Sequence, residues 1–420
     1  MIESASLDAQ DSLARFRQEF YLTPGQIYLD GNSLGLLSKR AEASLQKVLE
    51  EWKTLGIGGW MQGQPPWFLL AEELAKATAA LVGAAAEEVI VANSTTVNLH
   101  QLLATLYDPL LGRKAILIDS LAFPSDRYAV DSFLSRLSTY HSSACTVTVS
   151  SRDGVTLNEN DILACMTDEV QLAILPAVLY TSGQLLAMER LTEEAHRRGI
   201  LIGFDCSHSI GAVPHRFSDW DIDFAFWCNY KYVNGGPGAT GGLYLNRKHF
   251  GAAPGLAGWF GSRKESQMKM EPVLVPAHGA GALQIGTPNV LSMAPLQGAL
   301  SLLEDAGIEQ IRTKSLRLTA YLREKIERLP TSHDFQVVTP EEDDRRGGHI
   351  ALVHPEAVRI CKALMEAGVV PDYRSPGIVR LAPVALYTSF ADCDEAVARL
   401  DHIMQTRAYE NYPSEPGLIP

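Results

Sequence analysis

Leu201-Ile202-Gly203-Phe204-Asp205, followed at once by Cys206-Ser207-His208-Ser209, decides the fold class. Four uncharged, mostly apolar residues ending in a carboxylate read as a buried strand, and the carboxyl edge of a parallel sheet is where ligands bind. By itself Asp205 reads as readily as a helix cap, because two serines follow it closely. Outward from this stretch, strand candidates are Val89–Ala92, Ala115–Asp119, Thr146–Val149, Leu172–Leu175, Phe224–Cys228 and Leu243–Leu245. Helical spacing marks 41–54, 67–82, 97–107, 125–137, 158–166 and 191–198. Strand alternating with helix predicts an α/β fold built on a mostly parallel sheet. A second alternation begins with the helical pattern 308–329 and continues through 349–353, 355–367, 379–382 and 393–408. The chain therefore divides into an N-terminal arm (1–40), a large unit (41–310) and a smaller C-terminal α/β unit (311–420) that the arm helps to complete.

Lys231 lies 26 residues beyond Asp205, after an apolar run and before Asn234-Gly235-Gly236-Pro237-Gly238. Most lysines are solvated, but one between a core strand and a glycine-rich turn can be partly desolvated and act as a nucleophile. A lysine for a Schiff base and an acid for a ring nitrogen are two of the three requirements of pyridoxal 5'-phosphate; the third is a dianion site. Asn93-Ser94-Thr95-Thr96, between a strand and a helix, offers hydroxyls and helix N-terminal N–H groups for it. An ordinary Ser/Thr cap explains that segment equally well on its own. Phe123, before Pro124-Ser125-Asp126, could stack on a ring, although a lone Phe is more often a core residue.

Seven ordered segments carry a resemblance to kynureninase, a fold-type I pyridoxal-phosphate enzyme of the class V aminotransferase group. They are Leu29-Asp30-Gly31-Asn32-Ser33-Leu34-Gly35, Thr96-Val97-Asn98-Leu99-His100, Phe123-Pro124-Ser125-Asp126, Asp205-Cys206-Ser207-His208-Ser209, Asn229-Tyr230-Lys231-Tyr232, Gly258-Trp259-Phe260 and Arg380-Leu381-Ala382-Pro383. The resemblance implies hydrolytic cleavage of L-kynurenine to anthranilate and L-alanine, within tryptophan catabolism and the kynurenine route to NAD. It makes Lys231 the Schiff-base lysine and the base at Cα, Asp205 the partner of the pyridinium nitrogen, and Phe123 the stacking ring. Thr95, Thr96, His208, Tyr230 and Trp259 would lie around the phosphate, with Trp259 reaching the partner subunit's cofactor. Pro124, Ser125, Asp126 and Thr287 complete the cofactor set, and Tyr230 would also move protons near the substrate carbonyl. Ser33, Trp60, Thr287 and Arg380 would face the substrate, with Arg380 on its α-carboxylate, a match for a guanidinium fork. Read alone, Trp259 and Tyr230 are more often packing residues and Arg380 a surface ion pair.

Trp60, in Gly59-Trp60-Met61-Gln62-Gly63, stands where animal-type relatives resemble one another in having a histidine, and Gly286-Thr287 replaces their Ser-Asn pair. An apolar wall gains little from a ring hydroxyl that it must desolvate. The resemblance thus implies a bacterial-type preference for L-kynurenine over 3-hydroxykynurenine, and a homodimer with shared active sites.

The 420 residues carry 36 Lys+Arg against 49 Asp+Glu, a formal charge of −13, which argues against a protein that coats nucleic acid. With 46% hydrophobic and 20% charged residues the chain can bury a sizeable core. The first residues lack an apolar signal segment, no apolar run approaches the ~18 residues of a membrane span, and six scattered cysteines form no CxxC pair. A cytoplasmic enzyme with reduced cysteines and no metal site is expected. Two rivals remain: another class V enzyme, such as an aminotransferase or a cysteine desulfurase using Cys361 or Cys393 as a reactive thiol, and a non-catalytic relative, which would be expected to have lost Lys231, Asp205 or Arg380.

Overall fold

The computed structural model describes residues 4–138 and 144–417; the outermost residues of the expected arm and C-terminal unit, and residues 139–143, lie outside them. In chain order the strands are β1 (Ile27–Tyr28), β2 (Val89–Val91), β3 (Ala115–Asp119), β4 (Cys145–Val149), β5 (Val170–Pro176), β6 (Leu201–Asp205), β7 (Phe224–Trp227), β8 (Gly242–Leu245), β9 (Gln336–Val337), β10 (Ile350–Val353), β11 (Val369–Val370), β12 (Asp372–Arg374) and β13 (Ile378–Leu381). Strands β2 to β8 form one sheet in the order β2-β8-β7-β6-β5-β3-β4, in which β8 alone runs against its neighbours. The mostly parallel α/β architecture expected from the sequence is therefore present.

The inner strands β3, β5, β6 and β7 are buried along nearly their whole length, which is why they read as continuous apolar runs and not as alternating ones. Gly203, in the middle of β6, is required by packing: a Cβ there would come within 2.1 Å of the Phe224 ring on β7. Helices Thr95–Leu106, Pro124–Ser138 and Met188–Arg197 follow β2, β3 and β5, so their N-termini face the carboxyl edge of the sheet. The helix Val290–Ala306 was not apparent in the sequence. Its buried residues run nearly all round it and Pro295 lies inside it, so neither a polar stripe nor a clean helical period marks it. It packs on Lys39–Leu55, where Gly298 admits the Arg40 carbonyl at a distance that a Cβ would close to 2.1 Å.

Strands β9, β10, β12 and β13 form an antiparallel sheet in the order β12-β13-β10-β9, covered by Ala357–Glu366, Phe390–Thr406 and the later turns of Ile308–Glu327. Two cores result. Ile311 belongs to the core of the large sheet, whereas Leu318, Tyr321, Leu322 and Ile326 of the same helix belong to the smaller one. The N-terminal segment is divided in the same way: Leu13, Phe16 and Phe20 join the large core, while Ile27 and Leu29 join the small one, with β1 pairing in parallel with β11.

Substituting Gly203→Ala is expected to destabilise the protein by about 1–3 kcal/mol through overpacking against Phe224. Gly112→Ala, where an added Cβ meets nothing within 4 Å, should change stability by less than about 0.5 kcal/mol. Urea unfolding of the two variants beside the parent protein checks both values.

Candidate active site

The carboxyl edge of the large sheet gathers one loop from each parallel strand. After β2, Asn93 adopts a left-handed φ of 55°, which turns the chain into the helix Thr95–Leu106. Ser94, its N-cap residue, makes no side-chain cap, so the first-turn N–H groups remain available to an anion. Gly241 lies against that turn; a Cβ there would stand 3.0 Å from the Thr95 nitrogen. The Thr96 hydroxyl is 2.6 Å from that of Ser125, in the first turn of Pro124–Ser138, so two helix starts share one polar rim.

After β3, Asp119 accepts the Leu121 N–H at 2.8 Å, and Phe123 is 43% exposed with Tyr180, from the loop after β5, set edge-on at 5.3 Å between centroids. One face of the Phe123 ring is thereby left for a planar ligand. β6 delivers Asp205, which accepts the Ser207 N–H at 2.8 Å. Buried Asp126 stands beside it: burial, then the charge of Asp205 and a hydrogen bond between the two carboxyls, hold Asp126 well above the ordinary carboxylate range. Asp119 is raised to about 6, chiefly by burial. Carboxyls that share protons in this way suit a cationic ring nitrogen, which would take up the negative charge that they cannot all carry in its absence.

Lys231 follows β7. Its Nζ is 2.8 Å from His208 Nε2, 5.9 Å from the Phe123 centroid and 6.0 Å from that of Tyr230. Burial and the adjacent Cys228 push the Tyr230 hydroxyl upward, so it stays protonated as a donor. The turn is braced by the N-terminal loop: Gly35 donates its N–H to the Tyr230 carbonyl at 2.7 Å, and a Cβ at Gly35 would fall 2.4 Å from the Lys231 carbonyl oxygen.

From the small sheet, Arg380 on β13 is fully buried. It donates to Asp372 on β12 through Nε at 2.5 Å and through Nη2, to the Tyr180 carbonyl through Nη1, and to the Ser33 hydroxyl at 3.3 Å. Arg374 pairs with the other Asp372 oxygen at 3.0 Å and also reaches the Ser33 hydroxyl at 3.3 Å. Asp30 is raised to about 6 by burial, against the pull of Ser33, Arg380, Arg374 and Lys231.

The residues singled out in the sequence thus fall into two groups. Lys231, Asp205, Tyr230, Thr95, Thr96, Phe123, Pro124, Ser125, Asp126, His208, Ser33 and Arg380 converge on the carboxyl edge. The resemblance set His208 near a phosphate; the contact it makes is with the lysine amine. Trp60, Trp259 and Thr287 lie elsewhere on the chain. Trp60 and Trp259 flank Phe260 at 6.3 and 5.4 Å, the Ile285 carbonyl accepts the Phe260 N–H at 3.4 Å, and Thr287, two residues further on, is exposed. Among the described residues no hydrogen bond or ring contact joins this second group to Lys231. Sequence reasoning missed Asp119, Tyr180, His349, Asp372 and Arg374. Asp119 ends an apolar strand as Asp205 does and was open to the same argument.

A buried His208 Nδ1 and Asp119 Oδ2 lack partners among the described residues, the first N–H groups of Thr95–Leu106 have no side-chain cap from Ser94, and Phe123 presents a ring face; this donor set fits pyridoxal phosphate. The backbone agrees. Solved structures described as a C-DES mutant with glycine covalently linked to the PLP cofactor, and as an apo cysteine desulfurase from Thermococcus onnurineus NA1, superpose with TM-scores of 0.80 and 0.77. Each is 18% identical; they cover 92% and 94% of this chain and 98% of their own. Fold and site together define the fold-type I architecture of pyridoxal-phosphate enzymes. The kynureninase of Geobacillus thermodenitrificans (strain NG80-2) is 56% identical over 413 residues, 98% of this chain and 96% of that protein. That of Shouchella clausii (strain KSM-K16) is 54% identical with the same coverage, and residues 311–400 match the family described as kynureninase C-terminal domain. The chain belongs to the kynureninase family. The desulfurase alternative fails on its thiols: Cys361 and Cys393 are completely buried, and burial pushes both upward, away from a reactive thiolate.

Asp119 makes cofactor-free stability depend on pH. Because its folded value of about 6 exceeds the unfolded one, its stabilising contribution is complete below about pH 4 and is lost as pH rises through about 6. Between acid and neutral pH, Asp119→Asn should gain about 2–3 kcal/mol relative to the parent, measured by urea unfolding at both pH values.

Proposed function

We propose that this chain hydrolyses L-kynurenine to anthranilate and L-alanine with pyridoxal phosphate as cofactor. The observation that carries the reading is the meeting of Lys231, Asp205 and Arg380 around one edge of the sheet in a chain 56% identical to a kynureninase along nearly its full length.

Thr95, Thr96, the first N–H groups of Thr95–Leu106 and the Tyr230 hydroxyl would hold the phosphate oxygens, Phe123 would cover one ring face, and Asp205 with Asp126 behind it would keep the ring nitrogen protonated. When bound, pyridoxal phosphate supplies an electron sink for the pair left at Cα. Arg380, already oriented by Asp372, receives the α-carboxylate, with Ser33 beside it. Lys231 takes the Cα proton and His208 holds its amine in place. Tyr230 donates a proton toward the substrate carbonyl. In the net reaction one water is consumed: its hydroxyl ends on the aroyl carbon as anthranilate, and a proton ends on Cβ as alanine.

The Trp60–Trp259–Thr287 group completes the site of a second copy in a homodimer. Trp52, Ile57 and Met61 are 57%, 86% and 66% exposed and cluster near Trp60, an apolar surface of the kind that association buries. The division of the chain at 40 and 310 is proposed on the two cores, with Ile308–Glu327 bridging them. Six unpaired cysteines support a cytoplasmic location; among the described residues no helix is long and apolar enough to cross a membrane.

Purified protein loaded with pyridoxal phosphate should release fluorescent anthranilate from L-kynurenine. Lys231→Ala should lose the lysine-dependent visible absorption and at least about a thousandfold in turnover. Absence of anthranilate from the loaded parent protein refutes the assignment.

Specificity follows from Trp60, which packs edge-on against Trp67 at 6.0 Å and offers an apolar wall. The parent protein should favour L-kynurenine over 3-hydroxykynurenine in kcat/KM. Trp60→His should narrow that ratio by about tenfold or more, read by steady-state kinetics on both substrates.

A further inference from the structure

Two buried imidazoles stand behind the Lys231 amine, and only one of them touches it. His208 Nε2 meets Lys231 Nζ at 2.8 Å, while its Nδ1 is buried with no hydrogen-bond partner among the described residues. His349 is completely buried, its ring centroid lies 6.0 Å from that of His208, and neither of its nitrogens has such a partner. A buried nitrogen left unbonded costs about 1–3 kcal/mol, and three of them adjoin here. A histidine kept only for packing would ordinarily have at least one nitrogen satisfied.

The register explains why His349 is there. Ala351 on β10 pairs with Arg380, and Arg380 pairs with Asp372, so these three side chains share one face of the small sheet. His349 is two residues before Ala351 and projects from that same face. Its neighbours from each side are Arg380 and Arg374 of the small sheet, Lys231 and His208 of the large unit, and Tyr232, whose hydroxyl lies 3.0 Å from where a Cβ on Gly348 would stand. Burial first, then Arg380, Lys231 and Arg374, push His349 well below its ordinary value; burial, Lys231 and Arg380 do the same to His208. Both rings are therefore neutral. Where the Lys231 amine donates to the His208 nitrogen that faces it, the ring proton of neutral His208 sits on Nδ1. That buried Nδ1–H needs an acceptor, and neutral His349 carries one within the span of a single bridging water.

We propose that His349 is a positioning residue for Lys231: it takes the Nδ1–H of His208 through one bridging water and thereby fixes the His208 nitrogen that faces the lysine amine. Because His349 and Arg380 share one face of one sheet, the group that receives the substrate carboxylate and the group that sets the lysine proton move together. The inference rests on the role assigned to Lys231 under Proposed function.

The test uses the pyridoxal-phosphate-loaded enzyme with His349→Leu, which removes both nitrogens, and His349→Gln, which keeps a donor and an acceptor but does not titrate. Two readouts are taken: the pH titration of the visible absorption without substrate, and the kinetics of anthranilate release. His349→Leu is expected to displace the spectral midpoint by about one pH unit and His349→Gln by less in the same direction. The Leu variant should lose on the order of ten- to a hundredfold in kcat, with KM within about twofold of the parent. Parent-like midpoints in both variants, or a defect confined to KM, overturn the proposal. If the Leu variant does not fold, the Gln variant decides: a displaced midpoint supports the proposal and a parent-like one overturns it. A parent protein with chromophore and anthranilate release but unshifted variants sinks only this inference, whereas a parent lacking both sinks the assigned function with it.

Discussion

A guanidinium buried to 0% exposure has to be answered by a charge, and the pairing of Arg380 with Asp372 is the constraint around which the seam between the large and the small sheet is built. Removing one partner from such a pair leaves an uncompensated buried charge, which costs about 3–5 kcal/mol. Asp372 lies opposite Arg380 in the register of β12 and β13, so the small sheet carries the pair as a rigid unit. The remaining donors of Arg380 go outward, to Ser33 on the N-terminal loop and to the Tyr180 carbonyl on the loop after β5. One side chain thus holds three segments distant in sequence, and through Tyr180 it is connected to the Phe123 ring.

Across the site the charges are sorted by end. Asp119, Asp126 and Asp205 crowd one side, where burial first and the Asp205 charge after it raise Asp119 and Asp126 above the ordinary carboxylate range. Lys231, Arg374 and Arg380 stand on the other, where burial and then their charges push two neighbouring imidazoles well below their ordinary range. An amino-acid substrate and a cofactor that bears a cationic nitrogen at one end and a dianion elsewhere fit such a division without help from the overall charge of −13, which lies largely on the surface.

Much of this was legible in the sequence because the inner strands are buried on both faces: Ala115–Asp119 and Leu201–Asp205 appear there with the bounds they have in the structure. Asp205 and Lys231 stood out because each is a charge at the end of an apolar run. Val290–Ala306 was hidden by the opposite circumstance, apolar surface nearly all round. Asp372, Arg374 and His349 could not have been found, since each acquires meaning only from the register of short antiparallel strands, and a shift of one residue would turn every one of them away. The glycine in Asn32-Ser33-Leu34-Gly35 belongs to the same class: its need to be glycine lies in the Lys231 carbonyl, 196 residues away in the chain.

The pairing of Ile27 with Val369 bears on how the chain comes into being. During synthesis the segment carrying β1 emerges before the strands of the large sheet, yet its partner emerges only after that sheet can already have formed. Until then Ile27 and Leu29 are exposed apolar side chains on a tethered arm, while Leu13, Phe16 and Phe20 just before them can already dock on the large core. The smaller core is therefore closed last, by the joining of two segments that lie far apart in the chain. Contacts of such long separation are slow to form and leave apolar surface open in the interval. The arm's early anchor shortens the search that its later strand must make.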